Sequence, residues 1–249
     1  MCIRDRDNVV VTGASRGIGR AIAQRLAARG YSVVAVARRS SEGLDAAIEQ
    51  CRTAGAGSLT FAAFDLADIE AIPEFVRRIR TDAGPIYGLV NNAGIGTGGL
   101  LANMANGSIE AVLRLNTVSP IILTKYVARG MMAEGRGRIV NMSSITALNG
   151  FNALSVYAAS KASMVGFTKS LAREVGRLGI TVNAIAPGFI DTEMTAELDD
   201  TQRKRIVDRS AMRRMAEVSD IAAMVEFLLG DGGRHITGTV MTVDAGATA

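Results

Sequence analysis

Short apolar runs alternate with helix-period segments along the whole chain, and this alternation restricts the fold more than any other feature. Val9-Val10-Val11 is an unbroken apolar run stopped by Gly13. Ile18, Ile22 and Leu26 then recur every fourth residue, the spacing of one helical face, and Gly30 ends that helix. The same unit returns repeatedly. Strands are predicted at Tyr31–Val36, Leu59–Phe64, Ile86–Val90, Ile139–Met142, Ile180–Ile185 and Thr239–Val243. Between them, Leu44, Ile48 and Cys51 mark one helix, closed by Gly55 and Gly57. Ile72, Val76 and Ile79 mark another, with Pro73 tolerable only in its first turn. Longer helical stretches run over Ser108–Met132, disturbed around Asn116–Pro120, and over Ser155–Gly176; a shorter one spans Ser219–Leu229. Strands that are apolar at every position are buried on both faces, which requires a parallel sheet covered by helices on either side. No linker, repeat or low-complexity tract divides residues 7–249, which are expected to form one domain. The charged stretch Asp191–Glu217 reads as the one insertion, placed where it would serve as a lid. Met1–Arg6, MCIRDR, carries no apolar period and reads as a non-native extension resembling translated sequencing adapter.

Composition removes several chemistries. One histidine among 249 residues leaves no material for a histidine triad or a multi-histidine metal site. Cys2 and Cys51 make neither a disulfide framework nor a CxxC pair, in keeping with a cytoplasmic protein, and no metal is expected. No apolar run has the length of a membrane span. The net charge of +4 comes without an arginine-rich tract or interleaved aromatics, so nucleic acid is not an expected partner. His235 reads as structural or solvent-facing, and Met131, Met132, Met212 and Met215 as packing residues, the last two also suited to a pliable channel.

The first turn after the first strand carries chemistry. The sequence TGASRGIG places Gly13, Gly17 and Gly19 between that strand and an amphipathic helix, with Ser15, Arg16 and Ile18 interleaved. Helix N-termini present free N–H groups and a positive dipole end, and glycines admit a pyrophosphate close to the backbone. The spacing G-x-x-x-G-x-G differs from the general dinucleotide fingerprint, and no Gly-Lys-Ser/Thr follows to make a P-loop. A Rossmann-type, doubly wound α/β fold is therefore expected. At the end of the second strand, an acid would bind the ribose 2′-hydroxyl of NAD; Ala37 stands there, followed by Arg38 and Arg39. With Arg16 they offer guanidinium groups to a 2′-phosphate.

TGASRGIG resembles the cofactor motif of the short-chain dehydrogenase/reductase family, and further matches follow in order: Asn91-Asn92-Ala93-Gly94, Asn116, Ser144 with Tyr157-x-x-x-Lys161, and Pro187-Gly188. The resemblance implies NADP(H) as cofactor, held by Gly13, Ser15, Arg16, Gly17, Ile18, Gly19, Arg38, Asp65, Leu66, Asn91, Ala93, Gly94, Tyr157, Lys161, Pro187, Gly188, Ile190 and Thr192. Within that set Asp65 matches the residue that meets adenine, Asn91 one that supports the pocket and sheet, and Ile190 and Thr192 those at the nicotinamide carboxamide. It implies Asn116, Ser144, Tyr157 and Lys161 as the catalytic set. Tyr157 and Lys161 are four apart in a helical stretch and so share a face. A tyrosine titrating near pH 10 is drawn toward phenolate by a nearby ammonium, which suits Tyr157 to general acid–base work. The 13-residue interval to Tyr157 selects Ser144 over Ser143. Asn116, before the unsettled Val118-Ser119-Pro120 stretch, matches the family residue that interrupts its helix and anchors a water in a proton relay.

GRIVNMSS, the Tyr157 helix, REVGRLGITVNAIAPGFIDTEMT and ITGTVMTVDAG resemble bacterial 3-oxoacyl-[acyl-carrier-protein] reductases. Reduction of a 3-oxoacyl thioester and an acyl-carrier-protein partner are then expectations. Arg203, Lys204, Arg205, Arg209, Arg213 and Arg214 would suit an acidic partner or simply solvate a lid helix. Arg136 and Arg177 fall near the family's carrier-docking arginines, offset by a residue. Sugars, polyols and simple ketones remain alternative substrates, and a non-catalytic NADP-binding sensor an alternative role. A homotetramer is implied by the family, with the two long helices and the ITGTVMTVDAG strand as interface elements.

Overall fold

The computed structural model describes residues 7–190 and 199–249. Seven strands form one parallel sheet in the order β3-β2-β1-β4-β5-β6-β7. They span Asn8–Thr12 (β1), Ser32–Ala37 (β2), Ser58–Ala63 (β3), Ile86–Asn91 (β4), Gly137–Met142 (β5), Ile180–Pro187 (β6) and Val240–Val243 (β7). The helices are α1 (Gly17–Ala28), α2 (Glu42–Ala54), α3 (Ile72–Ala83), α4 (Asn106–Leu113), α5 (Ser119–Glu134), α6 (Ser155–Val175), α7 (Asp200–Arg209) and α8 (Val218–Leu229).

The unbroken apolar strands are explained by two cores, one on each side of the sheet. Val9, Val11, Val33 and Ala35 pack with Ile22 and Leu26 of α1, Leu44 of α2 and Ile221 and Val225 of α8. Their neighbours Val10, Val34 and Val36 pack on the opposite face with Phe75 and Ile79 of α3, Leu123 and Met131 of α5, and Ala172 and Val175 of α6. Alternate residues of one strand thus feed different cores, as the two-unit strand period requires. This is the doubly wound Rossmann-type architecture expected from the sequence. Chain order reverses between β1 and β4, and the crevice at that switch point is where such sheets bind ligands.

Helix ends follow local chemistry. Ser41 caps α2, its Oγ accepting from Leu44 N at 3.2 Å, and Gly55 closes it in a left-handed conformation at φ 70°. Pro73 lies in the first turn of α3. The disturbance expected around Asn116–Pro120 is a π-helical turn at Arg114–Val118 between α4 and α5. Met131 is buried, Met132 and Met212 are exposed, and His235 faces solvent. No helix among the described residues is long and apolar enough to cross a membrane. The non-native reading of Met1–Arg6 falls outside the described residues. The lid reading of Asp191–Glu217 does so in part; its described portion holds α7 and a bridge joining Ile190 to Ala216.

Candidate active site

The glycine loop is locked by its neighbours. Gly13 has φ +66°, and a Cβ there would sit 2.8 Å from Ala93 Cα; a Cβ on Gly19 would sit 2.3 Å from the Gly13 carbonyl oxygen. Only glycine fits either place. Two residues that carried no role in the sequence reading hold this arrangement. Thr12 Oγ1 accepts from Asn92 N at 2.9 Å and Ala93 N at 3.0 Å and donates to Val90 O at 3.2 Å. Asn92 Nδ2 donates to Thr12 O at 2.8 Å. The doubled Asn91-Asn92 was the available signal: at a strand end adjacent side chains point opposite ways. Asn91 accordingly turns into the sheet, donating to Thr124 Oγ1 at 2.9 Å and Asn141 Oδ1 at 2.8 Å, which supports the sheet side of its expected role.

Helix α1 is preceded at its N-cap by Arg16, makes no side-chain cap there and has no acid in its first turn. Its leading N–H groups therefore remain available to an anion, whereas α2 caps its own. Ser41 Oγ also donates to Ser15 O at 2.5 Å, tying the end of the β2 loop to the glycine loop. Arg38 and Arg39, in that β2 loop, are exposed and make no ion pair among the described residues. An uncapped helix N-terminus beside unpaired guanidinium groups fits the pyrophosphate and 2′-phosphate of NADP(H). Asp65 is exposed and accepts from Ala67 N at 2.9 Å, while Leu66 is buried beneath the crevice. Pro187 ends β6, Gly188 N donates to Val243 O at 3.0 Å, and Ile190 is buried. Thr192 lies outside the described residues.

The expected catalytic side chains converge above the carboxyl ends of β4 and β5. Ser144 Oγ accepts from Thr146 N at 3.2 Å, which fixes its rotamer, and stands close enough to the Tyr157 hydroxyl to act on its ionisation. Ser143 turns the other way and donates to Lys161 O at 2.9 Å. Lys161 is buried, and its Nζ donates to Met142 O at 3.0 Å. Burial pulls the Lys161 ammonium down to about 8. Burial also pushes Tyr157 above its ordinary value, and Ser144 opposes this only in part. Lys161 Nζ lies 5.8 Å from the Tyr157 ring centroid. Burial is the larger influence on the Tyr157 phenol. Tyr157 is a neutral phenol, in the protonation state of a donor.

Asn116 sits inside the π-helical turn. Its Oδ1 accepts from Ile95 N at 2.9 Å, and its Nδ2 donates to Ile95 O at 2.9 Å and Ser160 Oγ at 3.1 Å. A Cβ on Gly94 would lie 3.1 Å from Asn116 Oδ1 and 3.4 Å from Lys161 Nζ, so a bare glycine separates the two groups.

Residues 7–203 match the short chain dehydrogenase family. The chain belongs to this family. As a short-chain dehydrogenase/reductase it is an oxidoreductase that interconverts carbonyl and hydroxyl groups. It is 43% identical over 237 residues to the 3-oxoacyl-[acyl-carrier-protein] reductase of Escherichia coli, covering 95% of each chain, and 39% identical to that of Pseudomonas aeruginosa with the same coverage. Among solved structures, a short-chain dehydrogenase from Burkholderia cenocepacia in complex with NADP superposes with a TM-score of 0.91 at 38% identity, covering 99% of both chains. A blue fluorescent protein from a metagenomic library, in complex with NADPH, gives a TM-score of 0.90 at 35% identity, covering 98% of both.

Proposed function

We propose that this short-chain dehydrogenase/reductase is an NADP(H)-dependent reductase of 3-oxoacyl thioesters, with Tyr157 as proton donor. The placement of Ser144 beside the Tyr157 phenol, with buried Lys161 Nζ 5.8 Å from the phenol ring centroid, carries the reading. The similarity to 3-oxoacyl-[acyl-carrier-protein] reductases along 95% of the chain supports the substrate class. NADP(H) is the cofactor; when bound it supplies the hydride. Arg16, Arg38 and the α1 N-terminus would hold its phosphates, with Asp65 toward the adenine and Ile190 toward the carboxamide; the family resemblance adds Thr192 to the carboxamide contacts.

The chain's own groups do the rest. Ser144 and Tyr157 both aim hydroxyls at the substrate oxygen, fixing the carbonyl and polarising it. The Tyr157 Oη–H then protonates the oxygen as the carbon is reduced. Lys161 holds a positive charge close to the phenol as it loses its proton, and its ammonium would also hold the nicotinamide ribose. Asn116 keeps the π-helical turn and the Ile95 loop in place beside Lys161, where a relay water would stand.

An acyl carrier protein is the proposed partner. Lys204, Arg205, Arg209, Arg213 and Arg214 are exposed on and after α7, which suits an acidic surface. Arg136 pairs with Asp7 and lies over the Tyr87 ring, 4.7 Å from its centroid, at the amino end of β5 away from Ser144. The enzyme is proposed to be a cytoplasmic homotetramer. Exposed Leu113, Val118 and Met132 along α4–α5 support that assembly, and light scattering showing a monomer at micromolar concentration would contradict it.

Steady-state NADPH oxidation tests the substrate. Turnover of 3-oxoacyl thioesters at a higher kcat/KM than polyols, sugars or simple ketones is expected. The opposite order would assign the site to one of those substrates.

A further inference from the structure

The rings of Phe151 and Phe189 meet edge to face with centroids 5.9 Å apart and planes at 69°. Phe151 lies in the loop between Ser144 and Tyr157; Phe189 follows the Pro187-Gly188 turn. β5 and β6 are adjacent in register, Met142 opposite Ile185, so this contact bridges the two loops that leave the sheet beside the Ser144–Tyr157 pair. Both rings are half-buried, so each keeps a surface open to an apolar group.

The Phe151 loop is held from several sides. Leu148 N and Asn149 N both donate to Ile145 O, at 3.0 and 2.9 Å. Ala153 adopts φ +62°, the left-handed region that a non-glycine residue seldom occupies, and its carbonyl accepts from Gly99 N at 2.9 Å. Backbone conformations of this kind gather where a loop must hold a fixed shape at a site. The same end of the sheet carries exposed Ile95, Leu100 and Leu148 on the loops after β4 and β5. Apolar surface is thus concentrated next to a site whose catalytic groups are polar.

We infer that the Phe151–Phe189 pair is an apolar wall of the substrate site that selects substrates with an extended hydrocarbon substituent on the carbonyl, such as 3-oxoacyl groups of medium chain length. The substrate carbonyl is held by Ser144 and Tyr157, and the hydrocarbon lies across the ring faces. This inference rests on the proposed reductase reading for its substrate series and on the ring geometry for its selectivity.

The test measures kcat/KM with NADPH for N-acetylcysteamine thioesters of 3-oxobutanoate and 3-oxooctanoate. The wild type is expected to prefer the longer chain. Phe151→Ala should lower the octanoyl-to-butanoyl ratio by about tenfold, the scale on which apolar pockets discriminate methylenes. Phe151→Leu, which keeps apolar bulk, should fall between and serves as the main variant should Phe151→Ala fail to fold. NADPH affinity, read by fluorescence titration, should stay within twofold or so in both, since the ring is placed against the substrate and not the cofactor. A ratio that is unchanged or rises in Phe151→Leu and Phe151→Ala would overturn the inference. If neither thioester turns over, 2-butanone and 2-octanone replace them. The thioester reading then fails by itself, and the chain-length ratio still decides the role of Phe151.

Discussion

Ser143 Oγ donates to the backbone carbonyl of Lys161 at 2.9 Å, which ties the end of β5 to the middle of α6 and leaves the next residue, Ser144, to face Tyr157. Two adjacent serines thus have separate duties. Ser143→Ala should cost about 1 kcal/mol of stability, the net worth of one buried hydrogen bond, and keep most of kcat. Ser144→Ala should lower kcat by about 10²–10³-fold with the NADPH dissociation constant little changed, as expected when a group that polarises the substrate oxygen is removed. Urea unfolding and steady-state kinetics on both variants check the division. Equal kinetic losses would contradict it.

Arg38 stands exposed beside the uncapped start of α1, with no acid at Ala37. Arg38→Asp should place a carboxylate at the proposed 2′-phosphate site, repelling NADP(H) and offering an acceptor to the ribose of NAD(H). The ratio of kcat/KM for NADPH over NADH should fall by about tenfold or more, as loss of a charge-assisted contact implies. An unaltered ratio would move the phosphate site elsewhere.

Buried Lys161 makes stability depend on pH with a definite sign. Its folded pKa of about 8 lies below the ordinary 10.5. Between those values the unfolded chain binds more protons than the folded one, so stability rises with pH in that window. The full difference corresponds to about 3 kcal/mol. Tyr31, Tyr87 and Tyr157, all raised by burial, oppose the trend only above about pH 10, where an unfolded tyrosine ionises. Denaturant unfolding should therefore show higher stability near pH 9.5 than near pH 7.5. Lys161→Met should lose that rise and be the more stable protein at the lower pH. A wild type whose stability falls across the window would contradict the buried ammonium.

The layered fold was legible because each strand feeds two cores: Val9, Val10 and Val11 are all apolar for that reason, and only a sheet covered on both faces asks for it. The interruption around Asn116 was legible as a conflict of local signals, and proved to be a π-helical turn. Tyr157, Lys161 and Ser144 could be proposed from the family resemblance, and the structure places them near one another at the carboxyl end of β5. Thr12, Asn92 and Ser41 were not legible, because their work is done through backbone groups that come together only in three dimensions: Thr12 with Asn92 and Ala93, Ser41 with Ser15. The depth at which the Tyr157 phenol is buried was not legible either. Sequence spacing placed an ammonium nearby but carried no measure of how deeply the phenol is buried.

Tyr157→Phe tests the central claim most directly. The ring is kept, so packing and helix geometry should persist, and only the hydroxyl between Ser144 and the substrate oxygen is lost. General acid–base catalysis is worth about 10²–10⁴-fold. With NADPH and a 3-oxoacyl thioester, kcat should fall by that factor, while the NADPH dissociation constant measured by fluorescence titration should barely move. A Tyr157→Phe enzyme that retains most of the wild-type kcat would contradict the account.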